Sequence, residues 1–165
     1  MSALSSVHVL LVDDNPNMRA IVAAMLKSVG VGRLSEAEDG VVALELLRRE
    51  AIDIAIVDFR MKPMDGAAFT RAVRSEGDSA NPYLPVIMMT GHSEKSRVTE
   101  ARDAGVTEFV AKPVKAQTLL TRIEAVILRP RPFVRSPSYF GPDRRRTGTK
   151  DYAGPFRRAE DGVAD

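Results

Sequence analysis

Asp13-Asp14, Asp58, Thr90 and Lys112 each stand at the end of an apolar run in this 165-residue chain. Three carboxylates drawn into one crevice would repel one another. A hard divalent cation with oxygen ligands relieves that repulsion, and Mg2+ is the usual choice beside phosphate. A lysine and a hydroxyl close by supply what a phosphoryl group needs, a point charge and a hydrogen-bond donor. These residues lie far apart in sequence, so they form a site only if the fold gathers them.

Over residues 1–128, short apolar runs alternate with helical spacing. Residues 7–12 are apolar and lead into Asp13-Asp14. Met18, Ile21, Val22, Met25, Leu26 and Val29 then recur at helical intervals. Asn15 is a good N-cap, Pro16 suits the first helical position and Gly30 is a C-terminal stop. Residues 34–37 alternate and are less apolar, as in an edge strand. Ala43, Leu46 and Leu47 mark a second helix. Residues 52–57 form a continuous apolar run, which predicts a strand buried on both faces and running into Asp58. Gly66 opens a helix carrying Phe69, Ala72 and Val73. Residues 86–89 predict another buried strand, running into Thr90. Residues 94–104 have helical but weakly apolar spacing and should pack loosely. Residues 107–111 form the last strand, which leads to Lys112. Leu119, Leu120, Ile123, Val126 and Ile127 line the last helix.

Five βα units predict an α/β fold, a parallel sheet with helices on both faces. The weakly apolar second strand suits an edge, as in a flavodoxin-like (βα)5 doubly wound sheet of order 2-1-3-4-5. Ligands of such sheets lie beyond the carboxyl ends of the strands, where the five polar residues fall.

Composition excludes several other classes. Hydrophobic residues make up 44%, enough for a normal core. Cysteine is absent, which removes disulfides, thiol nucleophiles and cysteine metal sites and fits a reducing cytoplasm. The first residues lack a basic signal-peptide region, and no apolar run approaches a membrane span. The phosphate-loop pattern Gly-x-x-x-x-Gly-Lys-Ser/Thr and the HExxH zinc motif are absent, and Gly30-Val31-Gly32 follows a helix rather than a strand.

The segments Val9-Leu10-Leu11-Val12-Asp13-Asp14, Asp58 with Met64-Asp65-Gly66, Met89-Thr90-Gly91, and Phe109-Val110-Ala111-Lys112-Pro113 resemble, in order, the landmarks of response-regulator receiver domains. Residues 13–22 are similar to the chemotaxis receiver, and the resemblance covers residues 5–128. It implies a phosphoacceptor signalling switch of a two-component phosphorelay rather than a classical enzyme. Asp58 would accept a phosphoryl group from a phosphohistidine on a sensor histidine kinase or histidine phosphotransfer protein, forming an acyl phosphate. Mg2+ would be held by Asp14, Asp58 and the backbone carbonyl of Arg60, with Asp13 acting through metal-bound water. Lys112 and the Thr90 hydroxyl would bind phosphoryl oxygens, Phe109 would turn inward as the loop after Thr90 closes, and the Lys112-Pro113 bond would be cis. A downstream protein would read the change on the face of the fourth helix, last strand and last helix. A homodimer is a further expectation.

In isolation, Asp13-Asp14 reads as a solvated turn, Thr90 as a helix cap and Phe109 as core. His8 reads as a strand residue, His92 as solvated, and the methionines at 61, 64, 88 and 89 as packing. A haloacid-dehalogenase-like phosphatase also has a strand-end Asp nucleophile, but needs a second Asp where this chain has Arg60. Receivers commonly carry Met-Pro-x-Met-Asp-Gly after the acceptor; here Met61-Lys62-Pro63-Met64-Asp65-Gly66 places the proline one position late. Arg60 and His92 stand where side chains govern water access to an acyl phosphate.

Residues 129–165 differ in composition and read as a basic Pro/Arg/aromatic tail, irregular and not an independent domain. They hold 9 Lys/Arg against 5 Asp/Glu (9 − 5 = +4), whereas residues 1–128 hold 15 against 17 (15 − 17 = −2). Five of the ten prolines fall in this segment. It is too short for a usual DNA-binding output domain, so the reading is a stand-alone regulator. Tyr139-Phe140-Gly141-Pro142-Asp143-Arg144-Arg145 recurs as Tyr152-Ala153-Gly154-Pro155-Phe156-Arg157-Arg158. Aromatic, Gly-Pro turn and arginine pair together favour protein contact, including docking onto the receiver itself. The alternatives are a nucleic-acid- or lipid-binding regulator acting through these arginines, a disordered solubilising tail, and a degenerate receiver used as a scaffold.

Overall fold

Alternate residues of the central strands must point to opposite faces, so a strand without polar alternation needs cover on both sides. That is the arrangement in the computed structural model, which describes residues 3–75 and 79–144. A short 3-10 turn, Ala3–Ser6, precedes β1 (His8–Val12), α1 (Pro16–Ser28), β2 (Arg33–Ala37), α2 (Gly40–Arg49), β3 (Ile54–Asp58), α3 (Gly66–Arg74) and β4 (Val86–Thr90). A 3-10 turn, His92–Arg97, then leads to α4 (Val98–Ala104), β5 (Glu108–Ala111) and α5 (Ala116–Leu128). The five strands pair in parallel in the order β2-β1-β3-β4-β5. Every residue of β1, β3 and β4 is buried, while β2 and β5 at the edges are partly open.

The core divides along the pleat. Val9 and Leu11 of β1 pack with Ile54, Ile56, Ile87 and Met89 against Val22 and Leu26 of α1 and Leu119 and Ile123 of α5. Leu10 and Val12 pack with Ala55, Val57, Val86 and Met88 against Ala43 and Leu47 of α2, Phe69 and Val73 of α3 and Ala101 of α4. The first three helices start on polar caps: Asn15 Oδ1 accepts from Met18 N–H, Asp39 Oδ1 from Val42 N–H and Asp65 Oδ1 from Ala68 N–H. Among the described residues no helix is long and apolar enough to cross a membrane.

Two regions differ from the sequence reading. The helix expected over 94–104 is an α-helix only from Val98, because Glu94 and Ser93 direct their side chains back to the backbone and to each other. The tail expected to be irregular carries an antiparallel hairpin, β6 (Phe133–Ser136) and β7 (Tyr139–Pro142), turning over Pro137-Ser138. The second copy of the repeat, 152–158, lies outside the described residues.

The hairpin finds its apolar partners on the βα body. The rings of Phe133 and Phe140 sit 5.0 and 5.5 Å from that of Tyr83 and 5.4 Å from each other. Phe133 also covers Arg74, whose guanidinium lies 5.0 Å from the ring centroid. Arg74 is buried, and it donates to the carbonyls of Gly105, Pro82 and Leu84. Burial pulls its pKa down to about 10. Tyr139 is buried, donates its hydroxyl to the Pro142 carbonyl and is covered by Arg144 at 4.2 Å. Burial pushes its hydroxyl pKa up to about 12. Arg144 bonds Asp103 at 2.6 Å and Arg131 bonds Glu108 at 3.1 Å, which ties the hairpin to α4 and β5. Tyr139→Ala is expected to lower stability by about 2 kcal/mol through lost burial. Chemical denaturation of the full chain measures this; an unchanged midpoint would mean that the hairpin does not dock.

Candidate functional site

The parallel register brings the polar strand ends to one edge of the sheet. Val12 pairs with Val57 and Asp58 with Met89, so Asp13, Asp58 and Thr90 stand side by side. Asp13 is held by its N–H to the Ala37 carbonyl and by its Oδ1, which accepts from Asn15 N–H at 2.9 Å. Arg19 donates to the Asp13 carbonyl at 2.7 Å. Asp13 and Asp58 are buried, whereas Asp14 is exposed. Each of the three offers a carboxylate oxygen, and these oxygens lie within 4.8 Å of one another.

Lys112 follows β5, and its N–H donates to the Thr90 carbonyl at 2.8 Å. Its ammonium pairs directly with Asp58 Oδ1. The Lys112–Pro113 and Lys62–Pro63 peptides are both cis. Thr90 is buried at the end of β4. Phe109 of β5 is half-buried against the core on the α2–α4 side. Gly66 donates its N–H to the Phe59 carbonyl at 2.8 Å; a β-carbon on Gly66 would lie 2.7 Å from the Asp58 carbonyl. The absence of a side chain at Gly66 therefore lets α3 start directly behind the acidic site.

Burial, opposed by the Lys112 ammonium and reinforced by Asp13 and Asp14, pushes the Asp58 carboxyl from 3.8 up to about 6. Burial also raises Asp13, against the Asn15 N–H and Lys112. Asp13 Oδ2 is buried and has no hydrogen-bond partner among the described residues. An unsatisfied buried carboxylate oxygen within a set of hard oxygen donors fits a small divalent cation such as Mg2+.

The structure also brings forward residues that sequence reasoning passed over. Glu94 is buried beside the site, accepting from Gly91 N–H and Ser93 Oγ, both at 2.6 Å, and facing Arg60 Nε at 3.5 Å. Arg97 stacks on the Phe59 ring at 4.6 Å and reaches Asp65 at 3.5 Å, joining the turn after β4 to the loop after β3. The spacing Gly91-x-x-Glu94 is that of half a capping box, but without a Ser or Thr at its head it gives little signal. His92 is exposed, and His8 is buried with its ring nitrogens against the Ala51 carbonyl and Ser35 Oγ. Met61, Met88 and Met89 are buried, and Met64 packs against the core on the α2–α4 side.

A parallel sheet of this order with acids, a hydroxyl and a lysine at its carboxyl edge is the arrangement that the resemblance to receiver domains implies. The family model for the response regulator receiver domain matches residues 9–124. The chain belongs to that family. It is 37% identical over 121 residues to the chemotaxis protein CheY of Pseudomonas aeruginosa, covering 73% of this chain and 96% of the relative. It is 32% identical over 124 residues to the chemotaxis protein CheY-3 of Vibrio cholerae, covering 75% and 94%. Among solved structures it is similar to the receiver domain of sensor histidine kinase PA1611 from Pseudomonas aeruginosa, with magnesium ion coordinated in the active site cleft. That match has a TM-score of 0.64 at 29% identity and covers 71% and 93% of the two chains. Vibrio cholerae CheY4 matches with a TM-score of 0.66 at 30% identity, covering 73% and 98%.

The raised Asp58 carboxyl makes stability depend on pH in a definite direction. The folded protein holds this proton more tightly than the unfolded chain, so the stabilisation is complete below 3.8 and lost as pH rises through about 6. Asp58→Asn removes that loss. Without metal, the variant is expected to exceed wild type in stability at pH 8 by roughly 3 kcal/mol, with the gap closing by about pH 4. Added Mg2+ should raise the wild-type melting temperature more than that of Asp58→Asn. Thermal melts across pH, with chelator and with Mg2+, check both; a gap independent of pH would contradict the assignment.

Proposed function

We propose that this receiver accepts a phosphoryl group on Asp58 from a phosphohistidine of a sensor histidine kinase or histidine phosphotransfer protein. It then signals to a downstream protein by a change in conformation. The carrying observation is the buried Asp58 carboxylate, set against the Lys112 ammonium and grouped with Asp13 and Asp14. An Asp58 oxygen attacks phosphorus; the P–N bond breaks and its electron pair returns to the imidazole of the donor. Asp13, Asp14, Asp58 and the Arg60 carbonyl would hold Mg2+, which when bound offsets the charge of carboxylate and phosphoryl oxygens. The magnesium coordinated in the similar PA1611 receiver supports the same ion here.

Lys112 moves from the Asp58 carboxylate to a phosphoryl oxygen, remaining in ion contact throughout. The Thr90 hydroxyl, at the end of the adjacent strand, donates to a second oxygen. Drawing Thr90 inward shifts the turn His92–Arg97, and Phe109 follows into the space that opens. The edge formed by α4, β5 and α5 is the part a partner reads.

The basic tail gives less support to a polyanion-binding role. Arg131 and Arg144 are paired with receiver carboxylates, and Arg135 stacks on Phe140 at 4.7 Å. Protein contact remains the favoured output.

Incubation with Mg2+ and a small acyl phosphate is expected to give a single phosphoryl adduct by intact mass. The adduct should be absent from Asp58→Ala and from metal-free samples. Lys112→Ala is expected to slow labelling by about 100-fold or more, the scale for loss of one group aimed at developing charge. No adduct on wild type, with donor turnover ruled out, would make the chain a scaffold rather than a switch.

A further inference from the structure

Glu94 is a charged group for which phosphoryl acceptance gives no role. It lies at the start of the turn after Thr90 and is 3% exposed. Its two oxygens accept short hydrogen bonds from Gly91 N–H and Ser93 Oγ. The Ser93 hydroxyl foremost, with Gly91 N–H, Arg60 and Lys112, holds its carboxyl below the ordinary 4.5, so it is an anion at neutral pH. An anion shielded from solvent in this way is favoured where donors and cations surround it.

Two of those partners closely follow the strand ends of the site in sequence. Gly91 is the residue after Thr90, and Arg60 is the second residue after Asp58. The open side of Gly91 lies between Glu94 and Lys112: a β-carbon there would be 3.0 Å from Glu94 Oε1 and 3.9 Å from Lys112 Cδ. Arg60 has an exposed side chain whose charged end is drawn toward Glu94 at 3.5 Å and toward Ser93 Oγ at 3.5 Å. The Glu94 charge thus reaches the chemistry from two sides, through Lys112 and through Arg60.

We propose that Glu94 is a resting-state counter-anion, which competes with an incoming phosphoryl group for Gly91 N–H, Arg60 and Lys112 and so sets the affinity of the site for phosphoryl donors. This rests on the reading of Asp58 as phosphoacceptor. When the phosphoryl group arrives, two anions face one set of donors, and Glu94 is the one that can turn away to solvent by rotating its side chain. Its departure frees the cap of the His92–Arg97 turn, which lies on the path from Thr90 to α4. Glu94 is a positioning residue: it acts through the donors it occupies and does not touch the reacting atoms.

Glu94→Gln separates this role from plain helix capping. Glutamine keeps an oxygen for Gly91 N–H but carries no charge. The full chain, wild type and variant, is titrated with fluoroberyllate and Mg2+ by calorimetry, and labelled with a small acyl phosphate over a range of concentrations. Glu94→Gln is expected to bind the phosphoryl mimic at least about fivefold more tightly, at the lower end of ordinary site-to-site coupling. Its labelling should reach half-maximal rate at correspondingly lower donor concentration, with the maximal rate little changed. The gain should shrink in ~0.5 M salt, because it is a charge effect. In an Arg60→Gln background the gain should be smaller, since one contested cation is gone. The Arg60 side chain is exposed, so Arg60→Gln alone gives a second readout: Glu94, relieved of one attraction, holds the remaining donors and mimic binding weakens. Identical titrations for wild type and Glu94→Gln, or for wild type and Arg60→Gln if Glu94→Gln does not fold, overturn the inference alone, provided wild type labels at Asp58. Wild type that takes neither mimic nor label overturns the reading of Asp58 and the inference with it.

Discussion

The desolvation of Asp58 is the constraint on which the site depends. A carboxylate at the end of a fully buried strand, beside a second buried carboxylate, is unstable as a charge unless something offsets it. Lys112 supplies part of that offset across the β4–β5 edge of the sheet. The remainder is left open, as shown by the raised carboxyl of Asp58 and the unpartnered Oδ2 of Asp13. In the proposed function, a site in this condition favours a divalent cation and then a phosphoryl group whose oxygens engage the lysine. On that reading, the same frustration that lowers resting stability creates the affinity for the activating ligands.

Everything behind the site keeps that arrangement rigid. The central strands are buried on both faces, so a slip of register would carry Asp58 and its neighbours away from one another and turn core residues outward. Two apolar layers, with α1 and α5 on one side and α2, α3 and α4 on the other, prevent such a slip. Gly66 lets α3 begin against the backbone of Asp58 itself. By contrast, the turn His92–Arg97 is held mainly by polar contacts: Glu94 to Gly91 and Ser93, Arg60 to Glu94, Arg97 to Asp65. Apolar packing holds the strands and polar contacts hold the turn, a division that suits the conformational change of the proposed function.

The C-terminal hairpin extends the scaffold on its far side. Arg74 is buried and donates to the carbonyls of Gly105, Pro82 and Leu84, and the Phe133 ring completes its surroundings. Arg131 and Arg144 join the hairpin to β5 and α4, two elements of the edge read by partners in the proposed function. The tail therefore bears on the α4–β5 side of the fold, at the end of the strands opposite the site.

The sequence by itself determined the five βα units, the parallel order and the placement of Asp13, Asp14, Asp58, Thr90 and Lys112 at one edge. It could do so because strand burial and helix capping are written in local patterns: uninterrupted apolar runs, Asn15-Pro16, and a polar residue closing each run. Tertiary structure alone decided the rest. Glu94 looked like an ordinary helix residue until the turn placed it against Gly91 and Arg60, two segments more than thirty residues apart in sequence. The hairpin was invisible to composition because the partners of its aromatic rings, Tyr83 and Arg74, belong to the receiver and not to the tail. Local pattern records what a segment does with its own neighbours; contacts supplied by distant segments leave no periodicity to read, and only the packed chain brings them together.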